Sequence, residues 1–153
     1  MNKQMYRSSG FTLIELMIVA AVVAILVGVA VPAYLTQTMT VKRSMGKVEL
    51  MSVLARQEQY FISHRRYAAT LDSLGYSANP YAINASGDRV SIDSPRRIYL
   101  VSIDEAVPAT APTSFVLRAI PQLAQVKDKR CGVLEVRSTG VKAASAGTVD
   151  DCW

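Results

Sequence analysis

From Phe11 to Leu35 the chain is apolar at nearly every position, and only Thr12 and Glu15 are clearly polar. About 20 apolar residues in a helix cross the hydrocarbon of a bilayer, so this run predicts a membrane-length helix. Glu15 fits such a segment poorly. An ionisable group costs roughly 2.5–3.5 kcal/mol at a bilayer centre on insertion scales, and less near the interface. A positive group supplied by another copy of the same segment is the obvious offset. Pro32 removes a hydrogen bond and crowds the preceding turn, so a kink is expected there rather than an end. Gly28, four residues earlier, weakens the same stretch by about 1 kcal/mol relative to alanine. The interval between them reads as pliable.

Beyond Pro32 the period stays helical. Tyr34, Val41, Met45, Val48, Ala55 and Ile62 fall on one stripe, while Leu50, Leu54 and Phe61 lie on roughly the opposite side. Lys42, Arg43, Lys47, Glu49, Arg56 and Glu58 occupy much of the remaining surface. One apolar stripe suffices for a helix on a single domain. Two imply that its own domain covers one side, and that neighbouring chains or a loop of the domain cover the other.

His64-Arg65-Arg66-Tyr67 ends this helix, and Leu71 to Tyr76 reads as a loop with a short helical turn closed by Gly75. Asn79-Pro80 and Ser86-Gly87-Asp88 mark further turns. Strands are expected over Ile98–Ile103, Ser114–Ile120 and Cys131–Arg137. Pro108, Pro112, Pro121 and Gly140 separate them, which argues for an antiparallel meander. After Gly140 the chain turns small and polar up to Val149, a tail that frays unless tethered. The fold class is α+β, a long N-terminal helix with an apolar half and an amphipathic half, packed on a small antiparallel sheet.

The stretch Gly10-Phe11-Thr12-Leu13-Ile14-Glu15-Leu16-Met17-Ile18-Val19 closely resembles the processing site and N-terminal segment of type IV pilins. That resemblance implies a prepilin peptidase that cuts between Gly10 and Phe11 and methylates the new Phe11 amine. It also implies the pilin fold, with residues 1–10 a leader, 11–35 the transmembrane and filament-core helix, and 36–153 the rest of the helix plus the globular head. Further along, Ala55-Arg56-Gln57-Glu58-Gln59-Tyr60, Asp128-Lys129-Arg130-Cys131-Gly132 with Leu134, and Asp151-Cys152-Trp153 resemble PilE-type minor pilins. Members of that group support pilus assembly at low abundance, and other pilins are the implied partners. A secretory signal has a shorter apolar core and small residues at its cleavage site, whereas here Pro32 follows a longer run. A plain membrane anchor fits the length but leaves Glu15 unexplained.

The chain has 153 residues and a net charge of +5, falling to +3 once Lys3 and Arg7 leave with the leader. That length allows one membrane helix and one modest domain. Lys3 and Arg7 suit a cytoplasmic start, but Lys42, Arg43 and Lys47 flank the other end, so positive charge does not settle orientation. Cys131 and Cys152 do more. No third or fourth ligand lies close to them, which argues against zinc, and two free thiols suit an exported chain poorly. A bridge would close a loop of about 20 residues, worth roughly 3 kcal/mol in the loop-entropy model. The expected location is therefore the bacterial inner membrane, with one pass and the head in the periplasm, and then an extracellular pilus.

Nothing points to an enzyme, a cofactor or a metal site. The lone histidine, His64, sits beside Arg65 and Arg66 at a helix end, where cations complement the dipole. The carboxylates are scattered and no Gly-rich phosphate loop is present. Asn84-Ala85-Ser86 formally matches a glycosylation acceptor but sits in a turn-rich stretch. Two alternative functions stay open. ComP-type relatives of these minor pilins are receptors for double-stranded DNA. Here Arg96, Arg97, Lys127, Lys129, Arg130, Arg137 and Lys142 are candidate phosphate contacts, set against Asp128 and Glu135 in the same stretch. The receptor type carries an extra disulfide that a chain with only two cysteines lacks. A type II secretion pseudopilin shares the first helix, but more often lacks a C-terminal disulfide and can carry a carboxylate-rich calcium loop not seen here.

Overall fold

A computed structural model describes residues 11–107 and 112–153, so Gly10 and Pro108 lie outside the described residues. Helix α1 spans Leu13–His64 and runs through Pro32. Thr12 opens it, its Oγ1 accepting the Glu15 amide at 3.3 Å, which satisfies one of the free donors of the first turn. At the other end Arg65 turns left-handed, with φ 57°, as its amide closes on the Phe61 carbonyl. The expected end at His64 is where the helix stops.

The chain divides between Thr38 and Met39 into two compact units. The first, over its described residues, is helix alone, and its apolar side chains from Phe11 to Leu35 are all exposed. At 1.5 Å per residue that stretch measures about 37 Å, enough to cross a hydrocarbon layer of about 30 Å.

In the second unit, the rest of α1 packs on a six-stranded antiparallel sheet of order β2-β1-β3-β4-β5-β6. The strands are β1 (Tyr81–Asn84), β2 (Arg89–Val90), β3 (Arg97–Val107), β4 (Ser114–Pro121), β5 (Leu134–Arg137) and β6 (Lys142–Ala144). Alternation along β3 and β4 sends Tyr99, Val101, Phe115, Leu117 and Ala119 inward, where they meet Leu50 and Val53 of the helix. Leu71 and Leu74 close the core from a 3-10 turn ended by Gly75, whose φ of 82° a side chain would resist. Gly46 lets helix and sheet approach, because a Cβ there would stand 3.1 Å from the Tyr99 ring.

The expected β3 and β4 are found, while the third expected strand begins at Leu134 rather than Cys131. Strands β1, β2 and β6 were not foreseen, and β6 lies inside the stretch read as a polar tail. The Asn84 side chain accepts the Ser86 and Asp88 amides at 2.9 and 3.0 Å, so it builds the turn between β1 and β2.

The stripe of α1 that faces the core is Arg43, Gly46, Leu50, Val53 and Gln57. Arg43 had been placed on the polar surface, and the structure corrects that. Leu54 and Phe61 are half-buried on this side as expected, while Val41, Val48 and Ile62 stay exposed. Met45 departs from the exposed stripe and packs partly on the core.

Cys131 and Cys152 are joined as expected. Cys152 ends a short helix, α2 (Val149–Cys152), capped by Thr148, whose hydroxyl accepts the Asp151 amide at 3.2 Å. The Trp153 indole N–H donates to the Ala143 carbonyl at 2.8 Å and so fastens the tail along the edge strand β6.

Candidate functional site

Two surfaces carry the candidate residues. The first is the apolar helix. Glu15 stands in its first turn, exposed, among side chains of which Leu13, Ile14, Leu16 and Met17 are all large, apolar and exposed. Phe11 is exposed just before the helix. Within the globular unit, Val41, Val48, Ala55 and Ile62 recur every seven residues on the face turned away from the core. Val48 is 65% and Ile62 75% exposed. Together they make a narrow apolar line along the exposed side of the helix.

The second surface is basic. Lys42, Asn84, Ala85, Ser86, Arg96, Arg97, Leu123 and Ala124 line an open groove of about 350 Å³, and among the described residues its lining contains no acid. Arg97 is steadied there, its Nη1 donating to the Ser94 carbonyl at 2.9 Å and its Nε to Gln122 Oε1 at 3.4 Å. Lys42 is not among the phosphate contacts that the sequence suggests, since its partners in this groove are far along the chain.

The acids that were to dilute this charge are engaged elsewhere. Asp128 points inward and accepts both arms of the Arg43 guanidinium at 2.8 and 2.7 Å, with the two side chains only 3% and 6% exposed. Bidentate bonding to Asp128 raises the Arg43 pKa, although burial works against it. Gln125 joins the cluster, donating to the Tyr99 hydroxyl and the Met39 carbonyl, each at 3.2 Å. Burial pushes the Tyr99 phenol up to about 12, with the Gln125 bond pulling the other way. Glu135 accepts the Arg118 Nε at 2.7 Å on the outer face of the sheet, and Arg118 also bonds Asp104. With Asp128 removed to the interior, Lys127 and Lys129 stay exposed on either side of it.

The seven candidate DNA contacts fall into separate groups. Arg96 and Arg97 share the groove with Lys42, and Lys127 ends the 3-10 turn Leu123–Lys127 that forms one wall of it. Arg130 is exposed but bonded to Asp151, whose pKa is lowered by the Thr148 hydroxyl and then by Arg130 itself. Lys142 lies 5.3 Å above the Trp153 ring. Arg137 pairs with Val116, five residues along β4 from Pro121 beside the groove, or about 17 Å away. His64 is exposed, stacked on Tyr60 at 4.0 Å, with its Nδ1 3.1 Å from the Tyr60 carbonyl.

A helix with an apolar, exposed first half, whose second half packs on an antiparallel sheet, together with a disulfide-held tail, defines a type IV pilin. A family described as "Type IV minor pilin ComP, DNA uptake sequence receptor" matches residues 32–135, and a prokaryotic N-terminal methylation motif matches residues 5–31. The chain belongs to this minor pilin family. It is 36% identical over 85 residues to the type IV major pilin protein PilA of Myxococcus xanthus, covering 56% of this chain and 38% of PilA. It is 37% identical over 73 residues to the type IV major pilin protein PilE1 of Neisseria gonorrhoeae, covering 46% and 43%. It is 35% identical over 85 residues to the type IV wide pilus major component PilA4 of Thermus thermophilus, covering 54% and 65%. The matched stretch thus spans less than two thirds of each of these relatives.

Proposed function

We propose that this chain is cut between Gly10 and Phe11, methylated on the Phe11 amine, held in the bacterial inner membrane with its head in the periplasm, and then inserted into a pilus filament. The observation that carries this reading is Glu15, one acid in the first turn of an otherwise apolar and exposed helix. Cleavage would free an α-amine whose ordinary pKa of about 7.7–8.0 leaves it mostly cationic at neutral pH. That amine and Glu15 stand about one turn apart on one helix. Between subunits the same pair sets axial register: aligned, the charges neutralise each other, and misaligned, an unpaired carboxylate faces apolar surroundings. The exposed repeat Val41, Val48, Ala55 and Ile62 supplies a further packing seam. Mass spectrometry of sheared surface fibres is expected to yield an N-methylated peptide beginning at Phe11. Fibres lacking the chain, or carrying it unprocessed from Met1, contradict the proposal. Glu15→Ala is expected to be processed normally yet to enter fibres at least tenfold less, and normal incorporation would remove Glu15 from the mechanism.

A second role, binding duplex DNA for uptake, is favoured by the groove in which Lys42, Arg96 and Arg97 meet, with no acid among the described residues that line it, and by the matching family, described as a DNA uptake sequence receptor. Phosphate contacts release counterions, so each one steepens the fall of affinity with salt. The detergent-solubilised chain is expected to bind duplex DNA at low salt with a slope of log affinity on log salt near −3. Absence of binding at low salt sinks this role and leaves the pilin role standing.

A further inference from the structure

Leu123 combines two features that neither folding nor solubility explains. It is one of two non-glycine residues described with positive φ, at 49°, a conformation that glycine or asparagine adopts far more readily than a γ-branched side chain. It is also 47% exposed, so burial does not compensate for the backbone. Backbone held in a sparsely populated region and presented to solvent is a mark of a functional position. Val126, three residues on in the same 3-10 turn, is likewise 47% exposed. Leu123 and Val126 are thus two large apolar side chains exposed on one five-residue turn, and together they make its apolar ridge.

Cations flank that ridge. Leu123 itself lines the groove with Lys42, Arg96 and Arg97, and Lys127 closes the turn. The turn is anchored to the sheet where those arginines lie, by the Gln122 amide on the Ile98 carbonyl at 2.8 Å and the Arg97 Nε on Gln122. It is anchored to the helix through Gln125. Proteins that insert wedges between base steps and kink a duplex carry an apolar side chain beside cations that reach the backbone, and Leu123 beside Lys42, Arg96 and Arg97 has that composition.

We propose that the turn Leu123–Lys127 is an apolar wedge, with Leu123 entering a base step of bound duplex DNA while Lys42, Arg96 and Arg97 hold the adjoining phosphates. The proposal rests on the DNA role given above and adds the means by which the duplex is deformed.

The test uses the full chain in detergent micelles and duplexes carrying 2-aminopurine, whose fluorescence rises when a base step is unstacked. Wild type is expected to raise the fluorescence severalfold on binding. Leu123→Ala is expected to bind about tenfold more weakly, with an unchanged salt slope and no fluorescence rise. Leu123→Phe, which keeps an apolar wedge, retains the rise. Arg96→Ala behaves oppositely, lowering the salt slope by about one while keeping the rise at saturation. Binding by wild type without any fluorescence rise, or a Leu123→Ala chain indistinguishable from wild type, overturns the wedge and leaves DNA binding intact. No binding by wild type at low salt overturns both.

Discussion

Asp128→Ala is expected to destabilise the globular unit by about 3–5 kcal/mol, the cost of removing one partner of a buried ion pair. The residue left behind is Arg43, 5% exposed on the inward stripe of α1. Its guanidinium cannot shed its charge at any relevant pH, so it would stay cationic inside the core or tear the helix from the sheet to reach water. Gln125, which donates to Tyr99 and to Asp128, would lose part of its network as well. Replacing both charges, as Arg43→Met with Asp128→Leu, is expected to restore stability to within about 1.5 kcal/mol of wild type, because the desolvation cost disappears with the pair. Urea unfolding followed by near-ultraviolet circular dichroism measures all three chains. A single variant as stable as wild type would show that the pair contributes nothing to the core.

Gln57→Leu should have an effect of similar size, about 4 kcal/mol. The Gln57 side chain is fully buried and answers both backbone groups of Ala68, donating to its carbonyl at 2.9 Å and accepting its amide at 2.8 Å. It thereby fixes the chain that returns from the helix end to the sheet. Leucine fills similar space but strands one buried N–H and one buried C=O, each worth about 1–3 kcal/mol when unmade. Gln57→Glu distinguishes this from simple packing. A carboxylate can accept from the amide but faces the Ala68 carbonyl, so its folded-state pKa would be raised. The variant is then expected to be most stable at low pH, below the ordinary glutamate value, and to lose stability as pH rises through the raised value. A flat pH profile for that variant would count against the clamp.

Arg43, the partner of Asp128, and Gln57 both lie on the inward face of α1, which the apolar period marks only in part. Arg43, Gly46 and Gln57 make up three of its five inward positions, and none of them carries a large apolar side chain, so the pattern shows this face only around Leu50, Leu54 and Phe61. Their warrants are distant: Asp128 is 85 residues from Arg43, and Ala68 is 11 from Gln57. Strands β3 and β4 were readable because eleven and eight residues give a period room to show. Strands β2 and β6, of two and three residues, gave no such signal. They exist because β1 and β5 offer unpaired edges and because the tail is held beside them by Cys152 and Trp153.

The amino-acid sequence alone determined the apolar helix with its single acid, the helix end at His64 and the α+β class. Each of these depends on neighbours along the chain or on transfer from water to an apolar phase, which composition and spacing record directly. Only the tertiary structure decided which charges are spent inside and which face outward. Asp128 looked like a surface acid that would weaken the basic stretch around it, and the fold turned it onto Arg43. Lys42, Arg96, Arg97 and Leu123 were brought to one groove from three separate segments. A charge costs little in water and much in a core, so its role follows from where packing carries it, and packing is a property of the whole chain.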